Sequence, residues 1–281
     1  MNRSDALAQF RDTLAAGQSL IGAGAGTGLS AKCSEAGGAD LLIVYNSGRY
    51  RMAGRGSSAG LLAYGDANAI VMEMAGEVLP VVQRIPVLAG VCGTDPFRLM
   101  PHFLRQVRDI GFAGVQNFPT VGIIDGTFRQ TLEDTGMSYQ LEVEMMATAH
   151  ELDLLTAAYV FDLDQTQAMV EAGVDLVVPH MGTTTSGMIG AKHAMSLDEA
   201  VERVGKLCLR AKELNPEVLV LCHGGPIASP SDVSYMLGQL QDLDGFFGAS
   251  SVERLPTEIA IVESMRQFKS ARDPDPASAG A

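Results

Sequence analysis

The chain has 281 residues, 47% of them hydrophobic, with no Trp, 6% aromatics, four cysteines and a formal net charge of −13. That length supplies one large core or two small ones, and the acidic balance excludes a nucleic-acid backbone binder, although a local cup can still hold a small anion. Cys33, Cys92, Cys208 and Cys222 show no CxxC or metal-finger spacing and read as reduced thiols of a cytoplasmic protein, and no apolar run reaches the roughly 18 residues of a membrane span.

Taken in order, residues 4–16 predict a helix with Ser4 as N-cap. The first strand covers 19–24 and ends in Ala25-Gly26-Thr27-Gly28, followed by a helix over 29–37. A second strand, 40–45, ends in Asn46-Ser47-Gly48 and opens into a glycine-rich loop, 49–58, that carries Arg49, Arg51 and Arg55. These arginines read either as a mobile lid that brings charge to an anion, or as a subunit contact or solvated loop. Helix 67–79 leads to strand 86–91, then to Cys92-Gly93-Thr94-Asp95-Pro96 and helix 97–110. Strand 114–119 opens into a long loop over 119–136, and helix 138–152 follows.

Strands at 154–161, 176–179, 217–222 and from Gly245 alternate with helices at 164–172, 196–214 and 256–268. From about 270 the tail is polar and Pro-rich and reads as disordered. Eight alternations of about 30 residues predict one (β/α)8 TIM barrel with an N-terminal helix, spanning 1–269. Gly22-Ala23-Gly24-Ala25-Gly26 is the only hint of a dinucleotide loop. Thr27 stands where that frame needs glycine, and Asn46 or Ser47 where it needs an acid, so no nucleotide cofactor is expected.

In such a barrel the chemistry lies at the C-terminal strand ends, and the loops after the last two strands commonly form an anion cup. Here those loops are His223-Gly224-Gly225-Pro226 and Gly248-Ala249-Ser250-Ser251. The other strand ends carry Thr27, Asn46, Ser47, Asp95, Gln116, Asn117, Tyr159, Asp162 and His180. His180 and His223 read as acid–base groups or metal ligands, or as caps on loop carbonyls. Asp95 reads as a catalytic carboxylate or as the N-cap of the following helix. Glu142 and Glu144 read chiefly as solvated helix charges, and Cys92 and Cys222 as buried small hydrophobes rather than nucleophiles.

Three stretches carry a family resemblance. They are Gly22 to Lys32 with Asp40 to Arg51, Gln116 to Arg129, and His223 to Ile227 with Gly248 to Ser251. Together they resemble the phosphoenolpyruvate hydrolase-like TIM barrels, a family that includes the barrel domain of a plant virus-resistance protein, over about residues 5–268. More distantly the chain is similar to the phosphoenolpyruvate mutase and isocitrate lyase superfamily. That similarity implies that Ser47 and Gly48 hold the anionic end of a 2-oxo acid, and that Mg²⁺ takes part. The superfamily's Asp-x-Asp after the third strand is replaced by Ala89 to Asp95, and its fourth-strand Glu by Gln116-Asn117. Neutral amides are poor ligands for a hard cation, and the sequence does not identify metal ligands.

The reading is a hydrolase or lyase that cleaves a C–C or C–P bond in a small oxo-acid-like substrate. The anion would be held by Ser47, Gly48, Gly224, Gly225, Gly248, Ser250 and Ser251. Asn46 and Asn117 would polarise the carbonyl, and His180, His223 or Asp95 would move the proton. The expected partners are a small anion and further copies of the chain, with no nucleic acid or membrane. The alternative is a barrel that binds a ligand or protein without chemistry.

Overall fold

The computed structural model describes residues 1–271. Among them, eight parallel strands close into a barrel in which each pairs with its sequence neighbours and the eighth returns to the first. The strands are β1 Leu20–Gly24, β2 Leu41–Val44, β3 Val87–Val91, β4 Gly114–Asn117, β5 Leu155–Val160, β6 Leu176–Pro179, β7 Leu219–Cys222 and β8 Gly245–Gly248. All but β1 are buried along their whole length, which is why they read as continuous apolar runs rather than alternating ones.

The helices are α1 Arg3–Ala15, α2 Gly28–Ala36, α3 Asn46–Met52, α4 Ala67–Val78, α5 Met100–Ile110, α6 Gly126–Asp134, α7 Tyr139–Glu151, α8 Leu163–Glu171, α9 Leu197–Leu214, α10 Pro230–Gln239 and α11 Arg254–Ser270. The predicted barrel is the observed one, with local corrections. Asn2 rather than Ser4 caps α1, because its side chain accepts the Asp5 N–H at 2.8 Å. The long segment 119–136 is not an open loop: it holds a short 3-10 turn, Val121–Ile123, and then α6. The last helix runs to Ser270, and the expected disordered tail lies, from 272 onward, outside the described residues. No helix among the described residues is long and apolar enough to cross a membrane.

The barrel interior is filled by pairing large rings with glycines on the neighbouring strand. Gly22 is the register partner of Phe247, and a Cβ on Gly22 would sit 2.6 Å from that ring. Gly90 on β3 instead gives way to the Cβ of Tyr45, just past the end of β2. In the glycine run of β1, Gly22 therefore makes room for the Phe247 ring, while Gly24 and Gly26 let Ala249, Arg51 and the Gly48 backbone approach.

The arginine segment also differs from the expected lid. Residues 46–52 form α3, and the chain then folds back so that Asn46 Nδ2 donates to Gly60 O at 2.9 Å and Ser47 Oγ to Ser57 O at 2.6 Å. Arg49 pairs with Glu73 at 2.6 Å on the surface, and Arg55 is exposed. Arg51 turns inward to Glu253, 3.0 Å away, with both side chains fully buried. Glu253 accepts the Gly26 N–H and the Ser30 hydroxyl as well, each at 2.5 Å. One carboxylate thus joins the end of β1, α2, α3 and the start of α11.

Removing one partner of a buried pair leaves an uncompensated charge, a loss of about 3–5 kcal/mol. Arg51→Met should therefore lower the urea midpoint sharply, and adding Glu253→Gln should restore part of the loss. An Arg51→Met midpoint equal to that of the wild type would show that the pair adds nothing.

Candidate active site at the barrel mouth

The strand ladder sets two histidines side by side. His180 follows β6 and His223 follows β7, and the backbone binds them together: His223 N–H donates to Pro179 O at 3.1 Å and Met181 N–H to His223 O at 2.8 Å. Their ring centroids lie 4.6 Å apart. Tyr159, from β5, packs against both at 4.8 and 4.9 Å, and Phe118 and Tyr45 extend the aromatic wall.

Hydrogen bonds fix the two imidazoles in opposite tautomers. His223 Nδ1 lies 2.6 Å from Phe247 O, and a carbonyl only accepts, so Nδ1 carries the proton and Nε2 presents a lone pair. The Tyr159 hydroxyl stands 3.5 Å from that Nε2. His180 Nδ1 instead accepts the Gly182 N–H at 3.0 Å, so its proton is on Nε2. Burial lowers the pKa of His223 to about 4, with the nearby Arg51 charge acting in the same direction and the Phe247 carbonyl opposing. Burial, then the neighbouring His223, holds His180 well below the usual imidazole range. At neutral pH the pair is one neutral acceptor beside one neutral donor.

Both histidines line a tight cavity with Tyr45, Ser47, Phe118, Tyr159, Ser57 and Ser250. Its volume is about 30 Å³, room for one or two water-sized groups. The other expected site residues are distributed around it. Ser47 reaches the wall, but its N–H goes to Asn46 Oδ1 at 2.8 Å. Gly48 N–H bonds Tyr45 O at 2.8 Å, and Gly48 is pressed against Ala25 and Gly26, so its small size serves backbone packing. Gly224 and Gly225 have left-handed φ values of +77° and +58°, and Gly225 N–H donates to Gly182 O at 2.8 Å. That turn docks on the neighbouring loop and is not among the residues lining the cavity. Gly248 stays within β8, Ser250 Oγ lies 3.1 Å from Ser57 Oγ, and Ser251 Oγ is buried without a partner among the described residues.

Asp95 lies outside the cavity lining. Its carboxylate takes the Asn68 amide and Phe97 N–H, each at 2.9 Å, and pairs with Arg98. It does not cap the helix either, because α5 begins at Met100 with Leu99 as N-cap. Thr27 and Asp162 do cap α2 and α8. Asn117 is spent on positioning: its Oδ1 accepts Tyr159 N–H at 2.7 Å while Nδ2 donates to Tyr159 O and to Glu142. Gln116 is buried with neither amide atom partnered among the described residues. Burial raises the Cys222 thiol to about 12 and raises Cys92 too, so both are inert small groups, as expected.

Glu142 corrects the expectation of a solvated charge. It is fully buried on the inner face of α7, accepting Asn117 Nδ2 at 2.7 Å and Val121 N–H at 2.8 Å. Tyr139, Val143 and Met146 share that face, and this helical phase was the available signal; Glu144 is exposed. Arg51 and Glu253 gave no such signal, since their pairing spans 202 residues.

The carboxylates do not fit a Mg²⁺ site. Asp95 and Glu142 are committed to protein donors, the fourth-strand end offers amides, and imidazoles suit softer ions. No cluster of three His, Cys, Asp or Glu suited to a metal occurs among the described residues.

Residues 5–271 match the family described as phosphoenolpyruvate hydrolase-like. The chain belongs to that family. It is 60% identical over 264 residues to the tomato (Solanum lycopersicum) ToMV susceptible protein tm-1(GCR26), covering 94% of this chain and 35% of that protein. The chain therefore spans about a third of that relative's length. Among solved structures, its fold resembles phosphoenolpyruvate phosphomutase from Streptomyces platensis subsp. rosaceus, with TM-score 0.60 and 18% identity over 97% of this chain and 93% of that one. It also resembles phosphonopyruvate hydrolase in complex with oxalate and Mg²⁺, with TM-score 0.58 and 17% identity over 99% and 91%. These two likenesses establish the shared barrel.

Burial raises Glu142 from an ordinary value near 4.5 to about 7, against the hydrogen bonds that favour its charged form. The raised pKa contributes stability that is complete below the unfolded value and is lost as pH rises through about 7. The stability difference between wild type and Glu142→Gln should therefore shift against the wild type between about pH 5 and 8. A difference that stays constant across that range in urea titrations would refute the assignment.

Proposed function

We propose that the barrel mouth is the active site of a hydrolase or lyase acting on a small oxo acid, with His223 as the base and His180 as the donor. The observation that carries this reading is the opposite tautomers of two adjacent buried imidazoles, each set by a backbone group. His223 Nε2 takes a proton from an attacking water or from a substrate hydroxyl. His180 Nε2–H stabilises the negative charge that develops on the carbonyl oxygen as the adjacent bond breaks. Phe247 O orients the base through Nδ1, and the Tyr159 hydroxyl lies 3.5 Å from its Nε2.

The substrate class is supported by the family and by the phosphonopyruvate hydrolase neighbour, whose structure holds oxalate. The cavity favours C–C over C–P cleavage. Its walls are hydroxyls, aromatic rings and neutral imidazoles, whereas a phosphonate dianion needs uncompensated cations. Asn46 and Asn117 act here as positioning residues, since their amides hold Gly60, Tyr159 and Glu142. Ser47 already donates to Ser57 O, so the Ser57 and Ser250 hydroxyls, which share one hydrogen bond and keep one O–H free, are the ones that meet the carboxylate.

A carboxylate placed beside the imidazoles favours their charged form. Binding of oxalate near pH 6 should therefore draw a proton from solution, read as a buffer-dependent binding enthalpy in calorimetry. Binding without proton uptake would remove His180 and His223 from contact with the anion.

His223→Gln and His180→Asn should each lower kcat by about 10²-fold or more on a 2-oxo acid that the wild type turns over, with melting temperatures preserved. Full activity in both variants would overturn the assignment. Absence of wild-type turnover across 2-oxo acids would leave a binding barrel.

A further inference from the structure

The hydroxyl-lined inner cavity adjoins a second and larger one. Ser57, Ser58, Thr183, Thr184 and Ser250 line both, so the two spaces meet along these residues. Beyond them the second cavity reaches Arg254 and has a volume of about 250 Å³, against about 30 Å³ for the inner one. Thr184 is 8% exposed and lines both spaces, so its side chain is placed to meet a guest in either.

The chemistry of the walls selects the guest. Arg254 is buried, but its Nη1 pairs with Glu258 at 3.1 Å, and Nη2 donates to Ser186 O at 3.0 Å. Its charge is therefore already compensated, and a phosphate or second carboxylate would have to compete with Glu258. What remains is a set of hydroxyls, each able to donate and to accept. Such a wall matches a neutral chain that carries hydroxyls of its own. The frame is held in place: Thr185 N–H donates to Gly225 O at 3.2 Å and Ala191 N–H to Thr184 O at 3.1 Å.

We propose that the second cavity binds a hydroxylated chain of about three or four carbons, so that the substrate is a polyhydroxylated 4-hydroxy-2-oxo acid cleaved by a retro-aldol step. This inference rests on the active-site reading above. His223 Nε2 takes the proton of the 4-hydroxyl, and the C3–C4 bond breaks. Its electron pair forms the enolate of the 2-oxo acid, with the oxygen on His180 Nε2–H. The aldehyde carrying the hydroxylated chain forms in the larger cavity, and the proton on His223 returns to C3.

The test compares 4-hydroxy-2-oxo acids bearing zero to three further hydroxyls with deoxy chains of equal length, using wild type and Thr184→Val. Each hydroxyl that meets the wall should raise kcat/KM up to about tenfold over its deoxy counterpart. Thr184→Val should lower kcat/KM for hydroxylated chains about tenfold more than for deoxy chains of equal length. Turnover of short substrates with no gain from hydroxyls would overturn this inference while the active-site reading stands. If no 2-oxo acid is turned over, 2,3,4-trihydroxybutyrate serves as a binding probe by calorimetry. Binding that is weakened in Thr184→Val would uphold the cavity's specificity, and absence of binding would overturn it.

Discussion

The buried pair between Arg51 and Glu253 is the constraint on which the mouth depends. Glu253 closes the turn after β8 and precedes α11, so its position fixes both Ser250 and Arg254, one in each cavity wall. Its carboxylate also holds the Gly26 N–H and the Ser30 hydroxyl, which keeps the end of β1 against α3. Gly26 and Gly48 are glycines because the two backbones meet there without space for a Cβ. From the other side, the Arg51 charge helps to keep His223 neutral. A pair that is costly to desolvate therefore organises the backbone of the mouth and the protonation of His223.

A second polar cluster supports the opposite wall. Glu142 and Asn117 join α7, the 3-10 turn after β4 and the end of β5, and so hold Phe118 and Tyr159 around the histidines. These side chains act by position. Their donors and acceptors are used within the protein, and the groups left to meet a ligand are the imidazole nitrogens, the Tyr159 hydroxyl and the serine and threonine hydroxyls.

The fold was legible because its signals are local: buried parallel strands read as apolar runs, and each helix carries its own cap or phase. His180 and His223 were legible too, since strand ends in a barrel are few and both fell on one. The roles of Asn46, Gly48 and Asn117 were not, because composition at a strand end does not say whether an amide or N–H faces the cavity or a neighbouring strand. Arg51 looked like a mobile charge on a glycine-rich loop for the same reason, as its partner lies on the far side of the sequence. Glu142 lay between these cases, with its phase on α7 visible and its partners hidden.

The difference in tautomer between the histidines originates in the backbone rather than in the rings. Gly182, at a left-handed φ of +100°, turns its N–H onto His180 Nδ1 and its carbonyl onto Gly225 N–H. A side chain at that φ would be strained, so a single glycine both sets the His180 tautomer and seats the Gly224-Gly225 turn. On the other strand, the Phe247 carbonyl sets His223 in the opposite tautomer. Two rings of the same chemistry are made unlike by one N–H and one C=O, each fixed by the barrel ladder or by the turn beside it. Asymmetry built in this way needs no charged neighbour inside the cavity, which suits a site whose walls are aromatic rings and hydroxyls.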